Sequence, residues 1–310
     1  MDSPDILKPA SVDAPFFIDC DTNYDSSIEF LKYICQVIYL VPALILHLAL
    51  LRVLLYTHRK EYLDNSYFFI FSMDCVVNTI LLLASTLFDR PIIYITSLCP
   101  TFVNLFSVPS IFLQYLFVQP YYLRVAKLCI QIFATINRMT CVLSPLGYSR
   151  VSSNGFTPFM VVIVVLSPFT VIWNILISRP FAVNIYMGAS LSLFFLIIHF
   201  VTILITLIST AITLTYLCRL SERIKSIERT LCSTSICISI CFILNSCFQI
   251  YFVFVRDKNF KTVYAFQYIA FDVLILATPL ILLIYSKQLR SQVFGFCHKT
   301  RVISVGSGTS

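Results

Sequence analysis

Two acidic and three basic side chains in long apolar runs of this sequence are the residues best placed to do chemistry. Asp74 and Asp272 can act as buried anions, whereas Arg124, Lys127 and Arg138 can act as buried cations. Because charge is costly to place in lipid, such residues face the interior of a helix bundle and pair with one another or mark a functional site. The expected chemistry is ion pairing that holds a conformation, together with recognition of a charged small molecule.

The depth of Asp74 and Arg138 in their predicted helices suggests one pairing. Asp74 lies seven residues from the cytosolic end of the second apolar run, and Arg138 lies five residues from the same end of the third. At about 1.5 Å per residue, their depths differ by only about 3 Å. We therefore predict an Arg138–Asp74 ion pair that holds a resting state and frees Arg138 on activation. The alternative is that Arg138 extends along its helix to the inner headgroups.

Arg124, Lys127 and Asp272 lie nearer the opposite side of the membrane. Lys127 projects from the third apolar run at a depth similar to that of Asp272 in the seventh. A ligand carboxylate can compete with Asp272 for such a cation, so these three residues form a predicted ligand pocket. A purely structural Lys127–Asp272 pair, or a lysine that extends to the headgroups, is the alternative.

The elements that position these residues are long apolar helices. Of the 310 residues, 58% are hydrophobic and 12% are charged, against about 25% charged in an ordinary soluble domain. Because backbone groups in lipid have no water to bond, each run of about 20 apolar residues predicts a spanning helix. Seven runs qualify: 33–56, 67–88, 120–143, 158–178, 187–217, 231–255 and 263–285. The predicted fold is an all-α bundle of seven transmembrane helices.

The start of the third span is the least sharply defined, because apolar sequence continues far on its N-terminal side. Pro100, Pro109 and Pro120 interrupt this stretch, and proline removes a helical hydrogen bond. We place Pro120 in the first turn of the third helix and assign 91–118 to a long apolar loop on the membrane surface. The alternative is an eighth span at about 101–118, which would put the C-terminus outside.

Charge predicts the orientation of the bundle. Residues 1–32 are expected to form an extracellular acidic tail, 33–286 the membrane domain, and 287–310 a cytosolic tail with a short amphipathic helix. In this arrangement the cytosolic segments hold eleven Lys and Arg residues and the outer segments seven, in accord with the positive-inside rule. The net charge of +7 is spread between apolar runs, which argues against a nucleic-acid partner.

Arg219 and Arg223 continue the fifth helix beyond the membrane. Apolar residues keep helical spacing past Leu217, with basic residues between them, so helices five and six are expected to project into the cytosol. One interpretation is a docking surface for a cytosolic partner. The other is positive-inside topology combined with attraction to anionic lipid.

The block Ile136-Asn137-Arg138-Met139 through Pro145, at the end of the third span, resembles the Leu-Asn-Arg-Met-…-Pro block of the nematode serpentine chemoreceptors of class gamma. Further similar stretches are Cys20-Asp21 before Phe30-Leu31-Lys32-Tyr33, Tyr39-Leu40-Val41-Pro42, Leu98-Cys99-Pro100, and Phe271-Asp272 through Pro279-Leu280-Ile281-Leu282-Leu283.

This resemblance implies a chemosensory G-protein-coupled receptor of the plasma membrane, usually in a sensory cilium. Such a receptor senses a small external molecule and activates a heterotrimeric G protein. Asn137, Arg138 and Met139 replace the Asp/Glu-Arg-Tyr triplet of rhodopsin-like receptors, so activation details of those receptors do not transfer wholesale.

A seven-helix transporter and a ligand-gated channel are the competing functions. Transporters commonly show inverted repeats and broken helices, and the sequence shows no convincing internal repeat. A channel of the insect odorant-receptor kind would place the N-terminus inside, against the acidic tail. Phosphate loops, zinc-peptidase motifs and nucleophile elbows are absent from the sequence, so no enzymatic activity, cofactor or metal is expected.

Two cysteine predictions follow from location. Cys20 and Cys99 are the pair predicted outside the cytosol, where disulfides form, and a bridge between them is expected. Cys297 follows a short amphipathic stretch just past the seventh helix and is a candidate for palmitoylation.

Overall fold

A computed structural model provides the three-dimensional structure of the chain. It describes residues 25–63, 65–98, 101, 111–143, 157–169, 185–186, 189–217, 236–248, 250–251, 254 and 260–295. Cys20, Cys99, Arg219, Arg223 and Cys297 lie outside these residues, so the predicted disulfide, basic docking surface and palmitoylation site remain predictions.

Helices account for most of the described chain. They are α1 (Ser26–Leu51), α2 (Arg59–Leu63), α3 (Ser66–Ala84), α4 (Arg90–Tyr94), α5 (Ile111–Leu143), α6 (Thr157–Leu166), α7 (Leu191–Leu217), α8 (Ile236–Phe248), α9 (Phe260–Tyr285) and α10 (Lys287–Phe294). Two π-helical segments, Arg52–Thr57 and Ser85–Asp89, extend α1 and α3, and a 3-10 turn covers Thr96–Leu98. Strands β1 (Ile185–Tyr186) and β2 (Ala189–Ser190) pair antiparallel, with Ile185 opposite Ser190.

Five helices in the described part of the chain are long and apolar enough to cross a bilayer. These are Ser26–Thr57, Ser66–Asp89, Val118–Leu143, Leu193–Tyr216 and Ala265–Ile284, and each overlaps one of the seven runs predicted from hydropathy. Helices α6 and α8 belong to the fourth and sixth predicted runs and are shorter within the described residues.

The first helix begins earlier than predicted. Residues 26–32, assigned above to the acidic tail, form the first turns of α1. The side chain of Asp25 accepts a hydrogen bond from the Ser27 backbone N–H at 2.9 Å, which satisfies one of the unpaired donors of a helix N-terminus. Glu29 in the first turn then bonds Lys32 at 2.6 Å. Local capping therefore extends the helix beyond its apolar part.

The third spanning helix also begins before its predicted start. Pro120 lies inside α5, nine residues after Ile111, and not in its first turn. The assignment of 91–118 to a surface loop is therefore wrong for residues 111–118. The prediction began the third helix at Pro120. A helix can instead continue through a proline when neighbouring groups satisfy the carbonyl that the proline leaves without a hydrogen bond.

The fifth predicted span, 187–217, starts as a helix only at Leu191. Residues Ala189–Ser190 pair instead with Ile185–Tyr186 in the short hairpin. Hydropathy does not separate an apolar strand from an apolar helix over so few residues, and the prediction was long by one helical turn.

Helices α3 and α5 form the centre of the bundle. In each, 56% of the most apolar window is buried, against 28% in α1 and α7. The main core joins α1, α3, α5, α6 and α9 through residues such as Leu40, Leu82, Ile130 and Ile275. Conversely, Ile38 of α1 and Phe200 of α7 are mostly exposed, as expected of side chains that face lipid.

Helix α7 packs on α5 through apolar and aromatic side chains, including a ring contact of Phe195 with Tyr121. Several of its polar side chains bond within the helix. His199 Nδ1 lies 2.7 Å from the Phe195 carbonyl, and the hydroxyls of Thr202 and Thr213 donate to carbonyls four residues earlier. The backbone of α7 thereby satisfies these three side chains in an apolar setting, whereas the buried Thr206 hydroxyl has no hydrogen-bond partner among the described residues.

The short helix α10 begins at a cap formed by Ser286, whose hydroxyl accepts from the Leu289 N–H. Leu289 and Val293 are buried in a second core with Leu50, Leu54 and other residues of α1, α2, α3 and α9. The Tyr62 hydroxyl of α2 donates to the Gln292 side chain. Helix α10 is therefore held against the end of the bundle.

Candidate functional site

A buried ion pair joins the two central helices. Lys127 of α5 donates to Asp74 of α3 at 2.9 Å and to the Asn78 side-chain oxygen at 2.8 Å. The Asn78 amide in turn donates to the second Asp74 oxygen at 2.8 Å. Lys127 is 3% exposed. We call Lys127, Asp74 and Asn78 the Lys127 cluster; its charges are balanced and hydrogen-bonded, as buried charges require.

The predicted Arg138–Asp74 pair is wrong. Ser66 bonds Asn137 and Tyr67 bonds Arg138, so the start of α3 is level with residues 137–138 of the antiparallel helix α5. Asp74 lies eight residues, or about 12 Å, further along α3 than Ser66. Because α5 runs antiparallel to α3, Asp74 is therefore closer to the level of Lys127 than to that of Arg138. The prediction measured depth from the helix ends and assumed that they were level, but α5 extends several residues past the start of α3.

A second buried ion pair lies at the opposite end of the bundle. Arg90, at the start of α4, contacts both oxygens of Asp272 in α9 at 2.5 and 2.6 Å. Its remaining donors bond Gln36 and Ser85, each at 3.0 Å. Tyr39 donates to Asp272 at 2.5 Å. We call Arg90, Asp272, Gln36, Tyr39 and Ser85 the Arg90 cluster; it ties the first, second and seventh predicted spans together.

Local structure explains how Arg90 reaches this position. The π-helical segment Ser85–Asp89 precedes it, and π-helical bonding links residues five apart. Ser85 and Arg90 are five apart, and the Ser85 hydroxyl accepts from the Arg90 Nε. The guanidinium also lies 5.3 Å from the ring centre of Tyr268, one turn before Asp272. Arg90 is 0% exposed.

The predicted Lys127–Asp272 pair is therefore wrong as well, because each member has another partner. Arg90 follows the second apolar run, which ends at residue 88, and it is one of the seven cations counted above in the outer segments. A signal was present in the first helix: Gln36 and Tyr39 are three residues apart and share a helix face. Such a polar pair in an apolar helix indicates a buried polar partner, although it does not say which one.

The end of the bundle near Arg138 holds a third polar group. The Arg138 guanidinium donates to the Tyr67 hydroxyl at 3.2 Å and lies 5.1 Å from the centre of that ring. Asn137 accepts from the Ser66 hydroxyl at 3.1 Å. Asn137 and Arg138 are buried, whereas Met139 is partly buried. Residues Asn137–Met139 are thus anchored to the start of α3.

A small cavity lies between Arg138 and the Lys127 cluster. Its volume is about 30 Å³, and its polar lining comes from Tyr67, Asp74, Gln131, Arg138 and Thr278. A cavity of this volume with several polar partners can hold a water molecule. Asp74 and Arg138 therefore line a common cavity that has room for a water molecule.

Arg124, the remaining predicted ligand residue, has a different environment. It lies one turn from Lys127 toward the Arg90 end, and its guanidinium is 4.9 Å from the ring centre of Phe271. Among the described residues, no carboxylate lies within 4.0 Å of it. Its buried Nε has no hydrogen-bond partner among them.

Apolar helices surrounding buried, balanced charges define a multi-pass membrane protein. Comparison with known proteins places it more closely. Residues 33–293 match the model of the Srg family of chemoreceptors. The chain is 42% identical to the Caenorhabditis elegans serpentine receptor class gamma-5 over 88% of each chain, and 37% identical to class gamma-17 over 92% of each. Class gamma-14 is 33% identical over 97% of this chain and 95% of the relative.

The chain therefore belongs to the Srg family of serpentine chemoreceptors. Membership confirms the resemblance drawn from the Asn137-Arg138-Met139 block and the seven-helix bundle predicted from hydropathy. The protein is a multi-pass receptor of the plasma membrane, and its family is one of receptors and not of enzymes.

Proposed function

We propose that this receptor senses a small external molecule at the Arg90 end of the bundle and activates a heterotrimeric G protein at the Arg138 end. The observation that carries the proposal is the sequence of polar groups along the bundle axis. The Arg90 cluster, the Lys127 cluster and the Arg138–Tyr67 contact lie at successive depths between the two ends. A ligand that binds one arrangement of these groups better than another shifts the population of the whole bundle.

The orientation belongs to the same proposal. With the N-terminus outside, the Arg90 end faces the exterior and the Arg138 end faces the cytosol, as the excess of basic residues in the predicted cytosolic segments indicates. A sensory cilium is the proposed location in the plasma membrane.

Coupling to the G protein is assigned to the Arg138 end. Asn137, Arg138 and Met139 lie at the C-terminal end of α5, where Tyr67 and Ser66 hold the first two. Asp74 was predicted to pair directly with Arg138. We now propose that it acts on Arg138 indirectly, through the cavity that both residues line. Arg219 and Arg223 remain proposed contributors to the cytosolic surface.

The test is a cell assay with two simultaneous readouts. The full chain is expressed with a sensor of G-protein dissociation, while membrane current is recorded during application of candidate cues. A response that requires the G protein and disappears in Arg138→Gln, with unchanged surface expression, supports the proposal. A current that persists without G protein would indicate a channel, and substrate uptake would indicate a transporter.

Arg52→Gln is the matched control for this assay. Arg52 is an exposed arginine that begins the π-helical segment after α1. It shares the charge of Arg138 but not its burial. Loss of signalling in both variants would show a general requirement for positive charge and would contradict a specific role for Arg138.

A further inference from the structure

Most of the buried charge in the described bundle interior is already neutralised. Asp272 accepts two contacts from Arg90 and one from Tyr39, and Asp74 accepts from Lys127 and Asn78. Both of these carboxylates are therefore occupied by cations other than Arg124. A ligand that displaced either cation would leave a buried charge without a partner, which is strongly unfavourable.

Arg124 is positioned without an ion pair to any of the described carboxylates. Its guanidinium stacks on Phe271 of α9, and it interacts electrostatically with Asp89, Asp272 and His199, yet it forms no ion pair with the described carboxylates. Its buried Nε–H has no acceptor among the described residues. A buried donor without an acceptor carries a desolvation penalty that a ligand oxygen can remove.

The surroundings of Arg124 indicate what kind of acceptor fits. A guanidinium presents its N–H groups as a planar fork that matches the two oxygens of a carboxylate. The nearby side chains are aromatic: Phe271 lies beneath the guanidinium, and Tyr121, one turn earlier on α5, packs on Phe195 at 5.7 Å between ring centres. His199 follows Phe195 by one turn on α7. This combination suits an acidic group attached to an apolar body.

We propose that Arg124 binds the carboxylate of a small acidic ligand, whose apolar part lies among the aromatic side chains of α5, α7 and α9. The inference rests on the proposed receptor function and names the ligand class. It replaces the predicted competition at Lys127 and Asp272, because Arg124 can accept the ligand without breaking either buried ion pair.

Asp89 makes this assignment testable in a second way. It is partly buried and lies within electrostatic range of Arg124. Its negative charge opposes a second anion at Arg124. Removing that charge is expected to strengthen binding of a carboxylate, whereas a merely structural role of Arg124 predicts no such gain.

The test measures binding directly on the purified full-length receptor in lipid nanodiscs, without G protein. The probes are benzoate, phenylacetate and hexanoate, each compared with its primary amide, and the readout is the shift in Tm with probe concentration. At least one acid is expected to raise Tm while its amide does not. Arg124→Gln is expected to lower the affinity for that acid by at least about tenfold, the loss expected for a charge-assisted hydrogen bond. Asp89→Asn is expected to raise the affinity for the same acid severalfold.

Several results would overturn the inference. These are equal shifts with acid and amide, no shift with any of the three acids, an unchanged affinity in Arg124→Gln, or weaker binding in Asp89→Asn. Arg124→Lys is the control for misfolding, because it retains the positive charge and is expected to keep part of the affinity for the acid. Since the readout is binding, a receptor that binds acids but does not activate a G protein would refute the proposed coupling and leave this inference standing.

Discussion

Lys127 and Asp74 meet inside the bundle at a distance where each is the main electrostatic partner of the other. In a medium with little water, the attraction between two such charges offsets the cost of removing them from solvent only while both are present. The pair therefore acts as a unit, and its members cannot be exchanged for neutral residues one at a time.

We expect Asp74→Asn and Lys127→Gln each to lower the free energy of unfolding by about 3 kcal/mol, because each leaves one buried charge uncompensated. The double substitution is expected to recover most of the loss. Thermal unfolding of the detergent-solubilised receptor provides the measurement. A double variant whose loss equals the sum of the two single losses would show that the side chains do not interact.

The matched control is the ion pair Glu29–Lys32 in the first turns of α1, which has a short N–O distance but in which the Lys32 side chain is 49% exposed. Exposed pairs contribute about 0–1 kcal/mol. Glu29→Gln and Lys32→Gln, alone or combined, are therefore expected to leave the unfolding midpoint nearly unchanged.

Sequence reasoning identified charged residues inside the bundle but not their partners. Asp74, Lys127, Arg138 and Asp272 were recognised because charge in an apolar run is costly, and that cost is visible in one sequence. Partner choice depends on the vertical register between helices, which is set by packing of neighbouring side chains. Arg90 was missed because hydropathy placed it beyond the second span, whereas the π-helical segment directs it into the bundle.

At the scale of elements, α10 shows how a short helix depends on tertiary contacts. Helices of eight residues are too short to be stable alone in water. Leu289 is 0% exposed, among side chains from the first, second and seventh spans, whereas Phe294 of the same helix is 59% exposed. The buried face, and not helix propensity, positions this element.

Leu289→Ala is expected to lower the free energy of unfolding by about 2–5 kcal/mol, because it leaves a cavity in a packed core. Phe294→Ala removes a larger side chain from an exposed site and is expected to change stability by less than about 0.5 kcal/mol. The comparison is made by thermal unfolding and by surface expression. Equal effects of the two substitutions would mean that α10 does not pack as the structure shows.

Element boundaries were predictable only where the local chemistry was simple. The end of α9 at Tyr285 matches the predicted run 263–285, since Ser286 caps the next helix. Pro120 misled the prediction of α5, because proline is unfavourable in a helix interior but is tolerated in spanning helices where other groups compensate. The start of α1 was missed because its cap and first turn are polar.

At the scale of the whole molecule, the predicted orientation is open to a direct check. Epitope tags are fused to the N-terminus and to the C-terminus of separate full-length receptors in intact cells. The N-terminal tag is expected to bind antibody without permeabilisation, and the C-terminal tag only after it, because an odd number of spans separates the ends. Staining of both tags on intact cells would require an even number of spans.

The distribution of buried charge also determines which helices can slide. Ion pairs or charged hydrogen bonds link the first, second, third and seventh spans, so displacing these helices along one another would separate charges in lipid. Helix α7 meets α5 through apolar side chains, and the hydroxyls of Thr202 and Thr213 donate to carbonyls of α7 itself. A shear of α7 against α5 therefore exchanges one apolar contact for another. The charged helices form a rigid frame, against which α7 can move.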